Sequence, residues 1–156
     1  LNATREKIID HLMNDGSAEG GKDGMDCSLV CFDFKQLKLT YAAANNPVWI
    51  IREQKLVVFA ADKMPIGRHD RDKVPFKQTE VELKKGDVIY TFTDGYADQF
   101  GGPKGKKYKY KQLEELILSI HTKPMTQQHN MLQESFNTWK GNLEQVDDVC
   151  VIGVRI

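Results

Sequence analysis

Lys85-Gly86-Asp87-Val88-Ile89-Tyr90-Thr91-Phe92-Thr93-Asp94-Gly95-Tyr96 reads as turn, strand and acidic turn in succession. Gly86 suits a tight turn, the run from Val88 to Thr93 is β-branched and aromatic, and Asp94-Gly95 ends it. A second acidic turn, Asp147-Asp148, leads into the apolar run Val149-Cys150-Val151-Ile152-Gly153-Val154. Both turns therefore stand at strand ends, where a carboxylate can be held rigidly. Carboxylate oxygen suits hard divalent cations such as Mg²⁺ and Mn²⁺. Spacing alone leaves two readings open: a metal-binding pair of turns, or a plain turn and a solvated strand start.

Outward from this stretch, Thr4 to Asn14 has helical spacing, with Ile8, Ile9, Leu12 and Met13 on one side and Asp15-Gly16 as its stop. The segment from Gly16 to Gly24 is rich in glycine and polar residues and predicts a flexible link. Strands are expected at Cys27 to Phe34, Leu37 to Ala43, Val48 to Arg52 and Lys55 to Phe59. Asn45-Asn46-Pro47 predicts a turn, and Arg52-Glu53-Gln54 is short enough for a hairpin. Residues 60–72 read as loop, with Met64-Pro65-Ile66-Gly67 as an apolar knot. Helical spacing returns at Tyr110 to Ile120, where Leu113, Leu116, Ile117 and Ile120 share a face, and at Met125 to Trp139 with Met131, Leu132 and Phe136. A last strand runs from Val149 to Ile156. Strand pairs followed by two helices and a closing strand predict an α+β fold, a sheet packed against helices.

The 156 residues are enough for one domain with a real core, and 40% hydrophobic with 28% charged residues is an ordinary globular balance. Lys plus Arg and Asp plus Glu stand at 22 each. No global field therefore draws the chain to nucleic acid or an anionic surface, so partners must be recognised locally. No apolar run is long enough to cross a bilayer and the first residues are too polar for a signal peptide, so no membrane contact by this segment is expected. Cys27, Cys31 and Cys150 lack a Cys-x-x-Cys spacing, and Cys27 and Cys31 on one strand would be too far apart to bridge. They are expected to be buried and reduced, in a cytoplasmic domain. Without an initiating Met, Leu1 reads as an interior position of a longer protein.

Other motifs carry less. Lys104-Gly105-Lys106-Lys107-Tyr108-Lys109-Tyr110-Lys111 interleaves bases and aromatics, but with zero net charge a solvated loop and helix start is the better reading, guidance of a phosphoprotein being the secondary one. Gly101-Gly102-Pro103-Lys104-Gly105-Lys106 lacks the spacing of a phosphate loop, and His11, His69, His121 and His129 form no zinc-peptidase pattern. Asp23-Gly24-Met25-Asp26 lacks the alternating acids of a calcium loop. Trp49 and Trp139 are expected to pack in the core or at its rim.

Four pieces in order resemble one family: Leu39-Thr40-Tyr41-Ala42-Ala43-Ala44-Asn45-Asn46-Pro47, then Met64-Pro65-Ile66-Gly67, then Lys85 to Tyr96, then Asp147-Asp148-Val149. Together they resemble the metal-dependent PPM serine/threonine phosphatases of the bacterial SpoIIE type. The resemblance implies a PPM-like layered fold of mainly antiparallel sheets against helices, truncated on its amino-terminal side. Residues 1–156 would be the carboxyl-terminal portion of one such domain: helix over 1–15, flexible link over 16–25, sheet and helices over 26–156. It also implies Asp94 and Asp147 as metal ligands that act in catalysis through the metal, with Asp148 the second choice in its pair. Gly86, Gly95, Pro47 and Gly67 would be structural turn residues. Asn45 departs from the family, which often has His there after a Gly that is here Ala44.

A larger departure lies at the front. The family's Gly-Asp and Gly-Asp-x-x-Gly-His-Gly patterns, which bring further metal-binding acids, do not occur here. A site for two Mn²⁺ or Mg²⁺ ions about 3.5 to 4 Å apart needs more carboxylates than Asp94 and Asp147. This segment alone is therefore expected to bind metal weakly and to be silent. In the intact domain the resemblance implies hydrolysis of phosphoserine or phosphothreonine by a metal-activated water. The implied partners are a phosphorylated regulatory protein as substrate and an upstream sensor domain of the same chain, in a bacterial signalling protein whose parent could be membrane-anchored. Uncovered sheet edges invite homodimers. The alternative is a non-catalytic pseudophosphatase that binds a partner.

Overall fold

A computed structural model describes residues 1–13 and 24–156. In chain order the elements are α1 (Asn2–Met13), β1 (Gly24–Met25), β2 (Cys27–Asp33), β3 (Lys38–Ala44), β4 (Val48–Arg52), β5 (Lys55–Phe59), β6 (Ile66–Gly67), β7 (Thr79–Glu82), β8 (Val88–Phe92), α2 (Gly95–Asp98), β9 (Phe100–Gly101), β10 (Lys106–Lys107), α3 (Tyr110–Ile120), α4 (Met125–Lys140) and β11 (Val151–Arg155). The fold is α+β with antiparallel strand pairing, as expected. Two compact units divide the chain: Leu1–Val48 with Phe59–Leu83, and Trp49–Val58 with Lys84–Ile156.

In the first unit β2, β3 and β7 form a three-stranded sheet. Leu39, Tyr41 and Ala43 alternate along β3 and are buried, as one covered sheet face requires. The apolar knot does more than the sequence suggests. Met64 and Ile66 are buried with Ala44 and Phe76, and Ile66 and Gly67 pair as β6 with Met25 and Gly24 of β1. That pairing corrects the expected link, since Gly24 and Met25 are strand; the remainder of the link and the stop at Asp15-Gly16 lie outside the described residues. The turn at Asn45 is left-handed with φ 58°, and its amide donates to Asp26 Oδ1 at 2.8 Å. Pro47 follows this turn, half-buried. Helix α1 is fastened by a residue that periodicity would place outside. Arg5 is 5% exposed, donates to Val74 O at 2.8 Å and lies 4.8 Å over the Phe76 ring.

The second unit is built on a four-stranded sheet in the order β11-β8-β4-β5. Trp49, Ile51, Val88, Tyr90 and Phe92 project from one face into a core with Leu113, Ile117, Ile120, Leu132 and Phe136 of α3 and α4. The β4–β5 hairpin closes through Glu53 at φ 51° and Gln54 at φ 61°, the left-handed pair that a two-residue turn between twisted strands demands. Before β8 the turn passes Gly86 at φ 92°, a conformation that an L side chain resists. Asp87 locks it. The 2% exposed carboxylate accepts from Lys84 N–H at 2.8 Å and from Arg52 Nη2 at 2.6 Å. That hydrogen bond holds the Arg52 guanidinium above its usual pKa, against partial desolvation.

The three cysteines are free, yet the expectation that they are buried fails: Cys27 is half-buried while Cys31 and Cys150 are exposed. The reason is position. β2 is an outer strand of its sheet, and Cys150 immediately precedes β11, an outer strand of the other. Trp49 is core, as expected, and Trp139 is partly buried at its rim.

A buried polar network joins sheet and helices. Tyr90 Oη donates to Gln128 Oε1, and Gln128 Nε2 donates to His121 O and Lys123 O, carbonyls that also accept from Arg155. Burial raises the Tyr90 pKa from 10.0 to about 12. The neutral phenol is thus favoured by folding, so its stabilisation is intact below pH 10 and is lost as pH rises from 10 toward 12. Tyr90→Phe should lower the unfolding free energy at pH 7 by about 1 to 3 kcal/mol, because it strands the Gln128 acceptor. In urea melts it should also show a smaller alkaline loss than the parent.

Candidate functional site

The β8–β11 ladder pairs Phe92 with Val151, and it continues one step further at Thr93. Thr93 N–H donates to Cys150 O at 3.0 Å, Cys150 N–H donates to Thr93 Oγ1 at 3.0 Å, and Thr93 Oγ1 donates to Asp148 O at 2.8 Å. One hydroxyl thus acts as acceptor and donor and fastens the second acidic turn to the first. Glycine at 95 completes the approach. A Cβ built there would collide with Asp148 O and stand 3.0 Å from Asp148 C and 3.3 Å from Asp147 C. Only a residue without a side chain lets the backbones of Asp94-Gly95 and Asp147-Asp148 lie this close. Two turns far apart in sequence share one end of the sheet.

Each acid has its own support. Asp94 is half-buried and is the N-cap of α2, its carbonyl accepting from Asp98 N–H at 2.9 Å. Asp147 and Asp148 are exposed. Asp147 Oδ1 accepts from Asp148 N–H at 2.7 Å, which sets the turn. The irregular segment leading to Asp147 is held by Gln99, which is fully buried: its Nε2 donates to Glu144 O at 2.9 Å and its Oε1 accepts from Val146 N–H at 3.3 Å. So Gln99 anchors the acidic turn from upstream and Thr93 from downstream. Periodicity misses Gln99, since nothing about a lone polar residue after a turn signals burial. The short helix α2 and the strands β9 and β10 are equally silent in the sequence, being too brief for any period to register.

Three carboxylates at a strand end are hard oxygen donors of the kind Mg²⁺ and Mn²⁺ take. They do not amount to a two-ion centre. Among the described residues no cluster of three His, Cys, Asp or Glu side chains is placed to hold a metal ion. Nor do the acids share the groove of about 570 Å³ that runs along α4 and β11, which is lined by Tyr90, Met125, Gln128, Leu132 and Val151 among others. Of the other singled-out residues, Gly86 shapes the turn before β8, while Pro47 and Gly67 belong to the first unit as turn and strand. In the basic run Tyr108 is core, 5.1 Å from the Tyr96 ring and 5.2 Å from Trp139.

Residues 2–156 match the family model of stage II sporulation protein E, SpoIIE. Among solved structures the chain is similar to the SiaA-PP2C domain of Pseudomonas aeruginosa, with a TM-score of 0.81 and 19% identity over 99% of this chain and 68% of that one. It is similar to the PP2C phosphatase domain with a fragment of the regulatory domain of the cell fate determinant SpoIIE from Bacillus subtilis, with a TM-score of 0.69 and 20% identity over 97% of this chain and 42% of that one. The RsbU and RsbW domains of Rv1364c from Mycobacterium tuberculosis give a TM-score of 0.67 and 16% identity over 98% of this chain and 46% of that one. At such identities the likeness establishes a shared PP2C-type fold. No curated protein sequence matches. With a family match over nearly its whole length and that fold in common, the chain belongs to the SpoIIE family.

Proposed function

We propose that this chain is the carboxyl-terminal portion of a metal-dependent protein serine/threonine phosphatase domain, acting on phosphoserine or phosphothreonine of a regulatory protein in bacterial signalling. The observation that supports it is the apposition of the two acidic turns through Thr93 and Gly95. Asp94 and Asp147, with Asp148 second within its pair, are the chain's contribution to a Mn²⁺ or Mg²⁺ centre. The donors still missing come from outside the described residues, and this segment alone is silent.

The setting follows from the same reading. The Bacillus subtilis relative combines a phosphatase domain with a regulatory domain. An upstream sensor of the same chain is the corresponding partner here, and the cytoplasm is the compartment. No described helix is long and apolar enough to cross a membrane. A second reading, a pseudophosphatase that keeps the sheet and binds a partner, is favoured only where the parent protein also lacks the further acids. The parent sequence upstream of Leu1 separates the two, since the phosphatase needs further acids there.

In the intact parent protein, Mn²⁺ titration against a phosphoserine peptide should give metal-stimulated phosphate release, and Asp94→Asn should lower it by about 100-fold or more while leaving the melting temperature within a few degrees. No metal-stimulated release, or release indifferent to Asp94→Asn, would sink the phosphatase reading. Gly95→Ala tests the geometry separately. Alanine normally favours a helix, yet here it should lower stability by about 1 to 3 kcal/mol and reduce release along with it. A neutral Gly95→Ala would show that the two turns do not meet.

A further inference from the structure

The run Lys104 to Lys111 carries five lysines and no acid, in a chain whose bases and acids balance at 22 each. All five are exposed. Backbone bonds fix where the run lies: Tyr108 N–H donates to Gln99 O at 2.9 Å and Lys109 N–H to Ala97 O at 2.7 Å. With Lys106 and Lys107 paired to Gly101 and Phe100, the run lies against residues 97–101, and its Lys109 end reaches α2, whose N-cap is Asp94. At its end the Tyr110 ring lies 5.9 Å from that of Phe92, the last residue of β8. The carboxyl-terminal end of the basic run therefore lies by α2 and the end of β8.

Lys109 is the unusual member. Its backbone sits at φ 72° and ψ 148°, close to a region that glycine nearly monopolises. It is also the N-cap of α3, which has no acidic residue in its first turn, and a cation there opposes the helix dipole. Glycine would relieve the first cost, and aspartate or serine at the cap would relieve the second. A lysine relieves neither, so local stability is given up for a positive charge at this place. Lys107 is spent differently, in an ion pair with Asp98 at 2.8 Å.

We propose that Lys104, Lys106, Lys109 and Lys111 form a docking rim for acidic residues flanking the phosphorylated serine or threonine of a protein substrate, an inference that rests on the phosphatase reading. The electrostatics call for such a rim. In the phosphatase reading Asp94, Asp147 and Asp148 are taken up with the cation centre that holds the phosphate, so acidic flanks need cations of their own, and those of the run act over the Debye length of about 8 Å at physiological ionic strength. A balanced total charge makes the attraction local, so it selects by sequence flank and not by overall charge.

The test is fluorescence anisotropy on the intact parent protein with four labelled probes: a phosphoserine peptide with acidic flanks, the same peptide with neutral flanks, the unphosphorylated acidic peptide, and an RNA oligonucleotide of equal charge. The acidic-flanked phosphopeptide should bind tightest, with a preference that shrinks as salt rises. Replacing the four lysines by Gln should weaken it about tenfold and raise KM for that peptide more than for the neutral one. Lys109→Gly should raise the melting temperature while weakening acidic-peptide binding, opposite movements that a merely structural lysine would not give. An unchanged preference in the Gln variant, or RNA bound as tightly as the acidic phosphopeptide, overturns the proposal. Metal-stimulated release without any acidic preference overturns the rim alone. Acidic-peptide binding lost in the Gln variant, with no release by the parent, overturns the phosphatase reading and leaves the rim standing.

Discussion

The hydroxyl of Thr93 is the point on which the site turns. A strand pair ends where its hydrogen bonds end, and the β8–β11 ladder carries one backbone bond past Phe92 and Val151, from Thr93 N–H to Cys150 O. The Thr93 side chain then extends the pairing, its hydroxyl accepting a hydrogen bond from Cys150 N–H and donating one to Asp148 O. The separation along the chain is 55 residues, a long loop whose closure entropy must be met by such contacts. A β-branched residue suits the position, because it is stiff and favours extended backbone. Glycine at 95 then removes the one obstacle to contact between the turns.

Behind this contact stand buried polar groups that each satisfy several backbone atoms at once. Gln99 ties α2 to the segment before Asp147, Gln128 ties Tyr90 to the turn between α3 and α4, and Asp87 ties Arg52 to the turn before β8. Such groups stabilise little in net terms, since water would have bonded them in the unfolded chain. Their value is geometric. Leaving one bond unmade in a dry interior is costly, so only one arrangement of the surrounding backbone is tolerated. Apolar packing of Trp49, Tyr90 and Phe92 on α3 and α4 provides the bulk of the burial, and the polar groups decide its register.

The charge distribution has the same local character. Bases and acids cancel over the chain, yet around α2 they separate, with three acids at the turns by its start and a run of lysines against its end and the residues that follow. The strained Lys109 marks where the fold accepts a cost. Among the described residues no group of three ligating side chains is gathered, and the chain spans 42% to 68% of the three compared structures.

Much of this was legible in the residues alone. The spans of β4, β5 and α3 fall where alternation and helical period put them, the turns at Asn45 and Glu53-Gln54 follow from loop length and turn chemistry, and the ordered motifs singled out the two acidic turns that the fold brings together. What escaped were β6, β9 and β10, too short to show a period; the burial of Arg5, Gln99 and Gln128, whose polarity argues for the surface; and the exposure of Cys31 and Cys150, which depends on which strands lie outermost. Sequence by itself determined the elements and their punctuation, because period, branching and turn propensity act over a few neighbouring residues. Tertiary structure alone decided that Thr93 and Gly95 meet Asp148, since their contact is made by pairing strands that the chain keeps far apart.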